Sequence, residues 1–199
     1  MLREADLIAC EDTRRTRALL THFDIHKPTV SYYEHNKLAR GRELMRELAA
    51  GRSIALVTDA GTPGISDPGV LLVREARAGG FTVVPVPGPS AVVTALSASG
   101  VAADRFVFDG FLPVKPGRRI NRLKALRELE TTVVVYESPH RILATLGAIG
   151  EVFGDVELVV ARELTKQFEE IVRATASAHV ARLTAAEPRG EFTLVIPAV

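Results

Sequence analysis

Two stretches of this chain, Ser53-Ile54-Ala55-Leu56-Val57-Thr58 and Thr131-Thr132-Val133-Val134-Val135-Tyr136, are apolar with almost no polar interruption. A strand with one wet face alternates apolar and polar residues. A continuous run belongs to a strand covered on both faces, as in a sheet lying between helices. Further β-branched runs predict strands at Asp6–Ala9, Thr29–Tyr33, Thr82–Val86, Arg105–Phe111, Val156–Ala161, Glu170–Ala174 and Phe192–Ile196. Between them Leu38, Leu44, Met45 and Leu48, then Leu123, Leu126 and Leu129, recur at helical spacing. Strand–helix alternation over the whole length predicts an α/β protein. A small-residue helix from Ala91 to Ser99 and a fresh strand near Arg105 put a boundary at Ser99–Asp104, giving α/β domains at 1–103 and 104–199.

Composition narrows the class. A hydrophobic fraction of 47% and a charged fraction of 25% exclude a disordered or fibrous chain. Twenty-five Lys+Arg against 24 Asp+Glu exclude a uniformly basic nucleic-acid clamp but leave room for local basic patches. One cysteine, Cys10, forms no internal disulfide and no cysteine metal cage. No apolar run reaches the ~18 residues of a membrane span, and the start Met1-Leu2-Arg3-Glu4-Ala5-Asp6 lacks a signal-peptide core. A cytoplasmic setting, without membrane or metal, is the expectation. Leu2–Ala5 reads as the last turn of a helix, so a segment before it is expected to be missing.

Three loops stand out, each following a strand. Thr58-Asp59-Ala60-Gly61-Thr62-Pro63-Gly64-Ile65-Ser66-Asp67-Pro68-Gly69 leaves an apolar strand and leads into a helix near Val70. Its glycines permit close backbone approach and its prolines stiffen it, at the strand end where open α/β sheets bind ligands. It matches neither phosphate-loop pattern. Its alternative is a plain connection with Asp67 as N-cap and Pro68 in the first turn. The second loop, Pro85-Val86-Pro87-Gly88-Pro89-Ser90-Ala91, presents Ser90 at a helix N-terminus, as a ligand contact or simply a cap. The third, Tyr136-Glu137-Ser138-Pro139-His140-Arg141, places Glu137 where a strand emerges; the alternative gives Ser138 a capping role and leaves Arg141 in solvent.

Other clusters point to a polyanion. Arg14, Arg15 and Arg17 share one predicted helix, and Lys115, Arg118, Arg119, Arg122, Lys124 and Arg127 form a basic run without an intervening acid. Such a run lies along phosphates or is a solvated helix face. Tyr32, Tyr33 and Asn36 put rings beside hydrogen-bonding groups, a combination that suits an unpaired base. The five histidines have no metal spacing.

In order along the chain, Ala9-Cys10-Glu11-Asp12-Thr13-Arg14, Ser31–Asn36, Thr58–Gly69, Pro87–Ala91, Phe111-Leu112-Pro113, Tyr136–Arg141, Ala161–Lys166 and Gly190-Glu191-Phe192-Thr193 resemble the tetrapyrrole methylase superfamily, in particular its bacterial small-subunit ribosomal RNA methyltransferases. The resemblance implies two α/β domains with a cofactor cleft between them, a homodimer, and methyl transfer from S-adenosylmethionine to the ribose 2′-oxygen of a cytidine in the decoding region of 16S RNA on the small ribosomal subunit. It implies cofactor contacts from Asp59, Gly61, Thr62, Pro63, Ile65, Ser90, Ala91, Tyr136, Glu191 and Thr193, with Thr62 where tetrapyrrole methylases typically carry aspartate. Family members normally begin with a strand and a Thr-Pro-Ile-Gly-Asn loop and continue beyond the last strand here, so a chain lacking its first strand and its tail is expected.

A 2′-hydroxyl needs help losing its proton. Glu137, Asp12 and Glu34 are the candidates, with Lys166, Arg14 or Arg141 holding a phosphate or orienting the hydroxyl. Arg14, Arg17, Tyr32, Tyr33, Asn36, Arg118, Arg119, Arg122 and Arg141 are the expected RNA contacts. Two rivals stay open: a tetrapyrrole-type small-molecule methylase, and a truncated non-catalytic RNA-binding or dimerisation module.

Overall fold

The computed structural model describes residues 1–199 apart from Ala186, and the chain divides into two compact units, Met1–Pro89 and Ser90–Val199. The first runs β1 (Leu7–Cys10), α1 (Thr13–His22), β2 (Thr29–Ser31), α2 (Lys37–Ala49), β3 (Ile54–Val57) and α3 (Val70–Ala78). Its strands are all parallel in the order β2-β1-β3, with Cys10 opposite Ser31 on one side and Val57 on the other. Parallel strands end at one edge. Glu11-Asp12, Tyr32–Asn36 and Thr58-Asp59 therefore leave the sheet together.

Alternation along the strands explains the packing. Ala9 and Tyr32 meet Leu44 of α2 and Leu72 of α3 on one face. Cys10 turns the other way, toward Thr16 of α1, and its thiol donates to the Val30 carbonyl at 3.6 Å. The run at Ser53–Thr58, expected to be covered on both faces, is instead the half-buried edge strand β3. The strand expected at Thr82–Val86 does not form. Pro85 and Pro87 bring no N–H to a ladder, and no strand pairs there.

The second unit runs α4 (Ala91–Ser99), β4 (Phe106–Phe111), α5 (Pro116–Arg127), β5 (Thr132–Glu137), α6 (Ile142–Phe153), β6 (Glu157–Arg162), β7 (Glu170–Thr175), α7 (Ala176–Ala186) and β8 (Phe192–Ile196). The sheet order is β4-β5-β8-β6-β7, with β4 and β5 parallel and the other pairs antiparallel. Residues Leu123, Leu146, Ile149 and Leu183 from α5, α6 and α7 cover one face through Val133, Val135, Leu158, Leu194 and Ile196. Helix α4 covers the other, packing Val92, Ala95 and Leu96 on Val134, Val159, Ala161 and Val195. That packing moves the division to Pro89/Ser90, ahead of the helix, where the sequence pattern put it after Ala103. A helix joins whichever sheet takes its apolar stripe, and chain order alone does not reveal which.

Candidate active site

In the first unit, β1 and β3 end in Glu11 and Thr58-Asp59. The Thr58 hydroxyl donates to Asp67 at 2.9 Å and lies 3.4 Å from Glu11. Asp67 thus ties the loop back to its own strand, and the N-cap of α3 is Gly69 rather than Asp67. Gly69 sits at φ 151°, and a Cβ there would meet the Gly64 nitrogen and Leu56 at 3.1 Å, so this turn requires glycine. Ser66 holds a left-handed φ of 59°, a strained position for a side-chain-bearing residue within this loop. Gly61 has open space on its Cβ side, and the Thr62 hydroxyl donates to the Pro89 carbonyl at 3.2 Å. Pro63 is half-buried and Ile65 is exposed.

Partial burial, then the charges of Asp67 and Asp59, push the Glu11 carboxyl above its ordinary value. Sequence reasoning did not single this residue out as a base. Its signal was position, the first residue beyond a central buried strand. Asp12, named as a candidate base, is the N-cap of α1: it accepts from the Arg14 backbone at 2.8 Å and pairs with the Arg14 guanidinium at 2.8 Å. These bonds pull it down to about 2, leaving a weak base. Arg15 approaches Asp59 at 3.6 Å, and the Arg17 Nε donates to Thr29 at 3.2 Å.

The Tyr32–Asn36 cluster departs from expectation. Tyr32 is buried in the core, with no face left for a base. Asn36 is committed to a turn, accepting from the Tyr33 amide at 2.8 Å and donating to the Ser31 carbonyl at 3.0 Å. Tyr33 remains exposed, edge-on to His35, and Glu34 pairs with Lys37 on the surface. Alternation explains Tyr32: it continues the inward face of β2 one residue past Ser31, its amide still donating to the Cys10 carbonyl at 2.8 Å.

In the second unit, the carboxyl ends of β4, β5 and β6 and the start of β8 share one edge of the sheet. Thr193 pairs with Tyr136 on one side and Ala161 on the other. Tyr136 packs with the core beneath α4, as does Val195, and alternation along β8 places Thr193 on the same face. Ser90 stands at the N-cap of α4, but its hydroxyl makes no capping bond, leaving it and the first amides of the helix as donors. Ala91 opens that helix, half-buried.

Glu137, assigned beside Tyr136, faces the opposite side. Its buried carboxylate accepts from the Ser138 amide at 2.8 Å and the Thr145 hydroxyl at 2.6 Å, and pairs with Arg141 at 3.2 Å. Such a saturated carboxylate is a brace rather than a free base. Arg141 is correspondingly not in solvent; it also donates to the Leu112 carbonyl. Arg119 of the basic run is buried, donating to the Pro113 and Val114 carbonyls at 3.3 and 3.0 Å. Arg122 pairs with Asp109, and Arg118 is exposed.

Lys166 joins Glu163 at 2.8 Å and Glu191 at 2.9 Å. Both carboxylates keep the ammonium charged, raising Lys166 and lowering Glu163. A Cβ on Gly190 would come within 2.5 Å of Glu163, so glycine here lets the carboxylate reach the Glu191 amide at 2.9 Å. Among the described residues no group of three His, Cys, Asp or Glu side chains is placed to hold a metal ion, and no helix is long and apolar enough to cross a membrane.

Two α/β units, each with its loops gathered at one sheet edge, set the class of protein, and comparison identifies it. The chain belongs to the tetrapyrrole (corrin/porphyrin) methylase family, whose model matches residues 1–179. Several curated relatives carry one name. It is 50% identical over 98% of its length to "Ribosomal RNA small subunit methyltransferase I" of Synechocystis sp., covering 70% of that protein. The protein of the same name from Mesorhizobium japonicum is 47% identical over 98% of this chain and 67% of its own. Among solved structures, a diphthine synthase aligns at TM-score 0.74 with 17% identity, over 99% of this chain and 81% of that one. A uroporphyrin-III C-methyltransferase from Thermus thermophilus, complexed with S-adenosylhomocysteine, aligns at 0.64 with 18% identity, over 98% and 86%. These two share the fold. The chain is a member of a methyltransferase family.

Proposed function

We propose that this chain transfers a methyl group from S-adenosylmethionine to the ribose 2′-oxygen of a cytidine in the decoding region of 16S ribosomal RNA, acting as a cytoplasmic homodimer on the small ribosomal subunit. The observation that carries the substrate class is identity of 50% across nearly the whole chain with a curated small-subunit RNA methyltransferase. S-adenosylmethionine supplies an electrophilic methyl on a sulfonium. Its mixed chemistry fits the residues present: Asp59 and the backbone of Gly61, Thr62, Pro63 and Ile65 offer acceptors to its cationic and hydroxyl groups. The donors at Ser90 and Ala91 suit its carboxylate, and Tyr136 and Thr193, with Glu191 at the strand start, complete the second unit's share.

Orientation carries most of such a displacement, so the residues act mainly by holding and excluding water. Glu11 is the carboxylate best suited to accept the hydroxyl proton: burial raises it, and it lacks the arginine salt bridge that commits Asp12 and Glu137. Lys166, held charged between Glu163 and Glu191, holds a phosphate or orients the hydroxyl. Arg14, Arg17 and Tyr33 on the first unit and Arg118 and Arg122 on the second are the proposed RNA contacts.

The test is incorporation of labelled methyl into small subunits, with Asp59→Ala/Thr62→Ala as the site variant. Incorporation lost in that variant, and cofactor binding lost with it by calorimetry, is expected. Unchanged activity refutes the site. Methylation of a porphyrinoid in place of RNA would establish a small-molecule methylase instead.

A further inference from the structure

Strand β4 contains an irregularity that re-aims one side chain. Phe108 stands opposite Val134 of β5, but the next bonded pair is Gly110 with Val135, so Asp109 is an extra, unpaired residue. Gly110 takes a left-handed φ of 65° to accommodate it. Without the bulge, Phe108 and Phe111 would point to opposite faces. With it, Phe111 lies opposite Tyr136, and both turn to the same face as Phe108. Three rings then meet edge to face: Phe108 and Tyr136 at 4.8 Å between centroids, Phe111 and Tyr136 at 5.7 Å.

Phe111 is the outer ring of this group and 53% exposed, although the next residue, Leu112, is buried. The segment that carries it does not collapse to hide it. Arg141 holds the Leu112 carbonyl and Arg119 holds those of Pro113 and Val114, two guanidinium anchors on three successive carbonyls. The displaced Asp109 side chain pairs with Arg122 and so fixes α5 beside the bulge. Lys115 and Arg118 lie on the same side of α5 as Arg122, at spacings of three and four residues. Both are exposed, and among the described residues neither forms an ion pair.

We propose that the bulged end of β4 is a stacking platform on which the exposed face of Phe111, backed by Tyr136 and Phe108, receives an unpaired base of single-stranded RNA, while Lys115 and Arg118 take the adjoining phosphates. A rigid ring beside unpaired cations matches a nucleotide, which offers a π face and a negative charge a few ångströms apart. The platform replaces the role that Tyr32 is too buried to fill. It rests on RNA being the substrate and adds the side chains that grip it.

The experiment measures anisotropy of a fluorescent hexameric oligocytidylate with the full chain, alongside calorimetric titration of S-adenosylmethionine. Phe111→Ala should weaken oligonucleotide binding by about tenfold, the scale of one base stack, and leave cofactor affinity unchanged. Phe111→Tyr should bind like the parent, and Phe111→Leu, apolar but without a π face, like the alanine variant. Lys115→Ala/Arg118→Ala should flatten the salt dependence by roughly 0.7 in log–log slope for each phosphate no longer neutralised. Oligonucleotide binding untouched by Phe111→Ala, binding fully kept by Phe111→Leu, or loss of cofactor affinity in Phe111→Ala would each overturn the platform. A parent chain that grips the oligonucleotide through Phe111 but methylates no small-subunit RNA supports the platform and sinks the methylation reading alone.

Discussion

Glu137 and Glu11 show how differently two strand-end carboxylates are used. Glu137 is buried against Arg141, Thr145 and the Ser138 amide. Removing one member of such a buried pair leaves the other uncompensated, typically at about 3–5 kcal/mol. Glu137→Ala should therefore lower the urea midpoint sharply, whereas a catalytic base would give an inactive protein of parental stability. For Glu11 the folded state favours the protonated form. The unfolded chain then binds fewer protons between the ordinary glutamate value and the raised one, so stability falls as pH climbs through that window. Glu11→Gln should be more stable than the parent at neutral pH, by less than about 1 kcal/mol given its partial exposure, with the gain vanishing in acid. Urea melts at several pH values check this, and methyl transfer should be lost in the same variant. That Glu137 and Asp12 were legible as strand-end and helix-start carboxylates is a matter of sequence position. That both are committed to arginine is not, because Arg141 and Arg14 read equally well as solvated.

At the scale of the element, strand β4 carries the main surprise. Sequence alternation at Phe106, Phe108 and Phe111 cannot say where Phe111 points, since one inserted residue reverses the parity. Gly110 was the available clue, a glycine inside a strand. Deleting Asp109 should restore regular pairing without turning Phe111, which then stands two residues after Phe108 and still opposite Tyr136. The expected result is that the Phe111-dependent share of oligonucleotide binding is kept with the strand still formed, although the Asp109–Arg122 pair is gone, read by anisotropy together with hydrogen exchange of β4. The proline-rich segment at 82–89 is the converse case: β-branched residues read as a strand, but a strand is a property of two chains, and nothing pairs with this one.

Across the whole molecule, the division at Pro89/Ser90 follows from the apolar stripe of α4, which packs on β5, β6 and β8. The segment ahead of it is exposed and without regular structure from Val84 to Pro89. Limited proteolysis with a broad-specificity enzyme should cut first there, and mass spectrometry of the two fragments locates the site; a first cut inside α4 would place the division elsewhere. The prolines that stiffen this stretch slow cleavage at individual bonds, so Val83–Val84 is the favoured position.

Sequence by itself determined the alternation of strands and helices, the continuous apolar runs that form β3 and β5, and the loops at strand ends where glycine and proline coincide. These are local: each follows from periodicity and backbone freedom within a dozen residues. Only the tertiary structure decided which carboxylates are braced and which is raised, that Tyr32 and Arg119 are buried, that α4 belongs to the second sheet, and that Phe111 faces outward. Those outcomes depend on pairing register and on neighbours distant in the chain, whose distances a linear pattern does not encode.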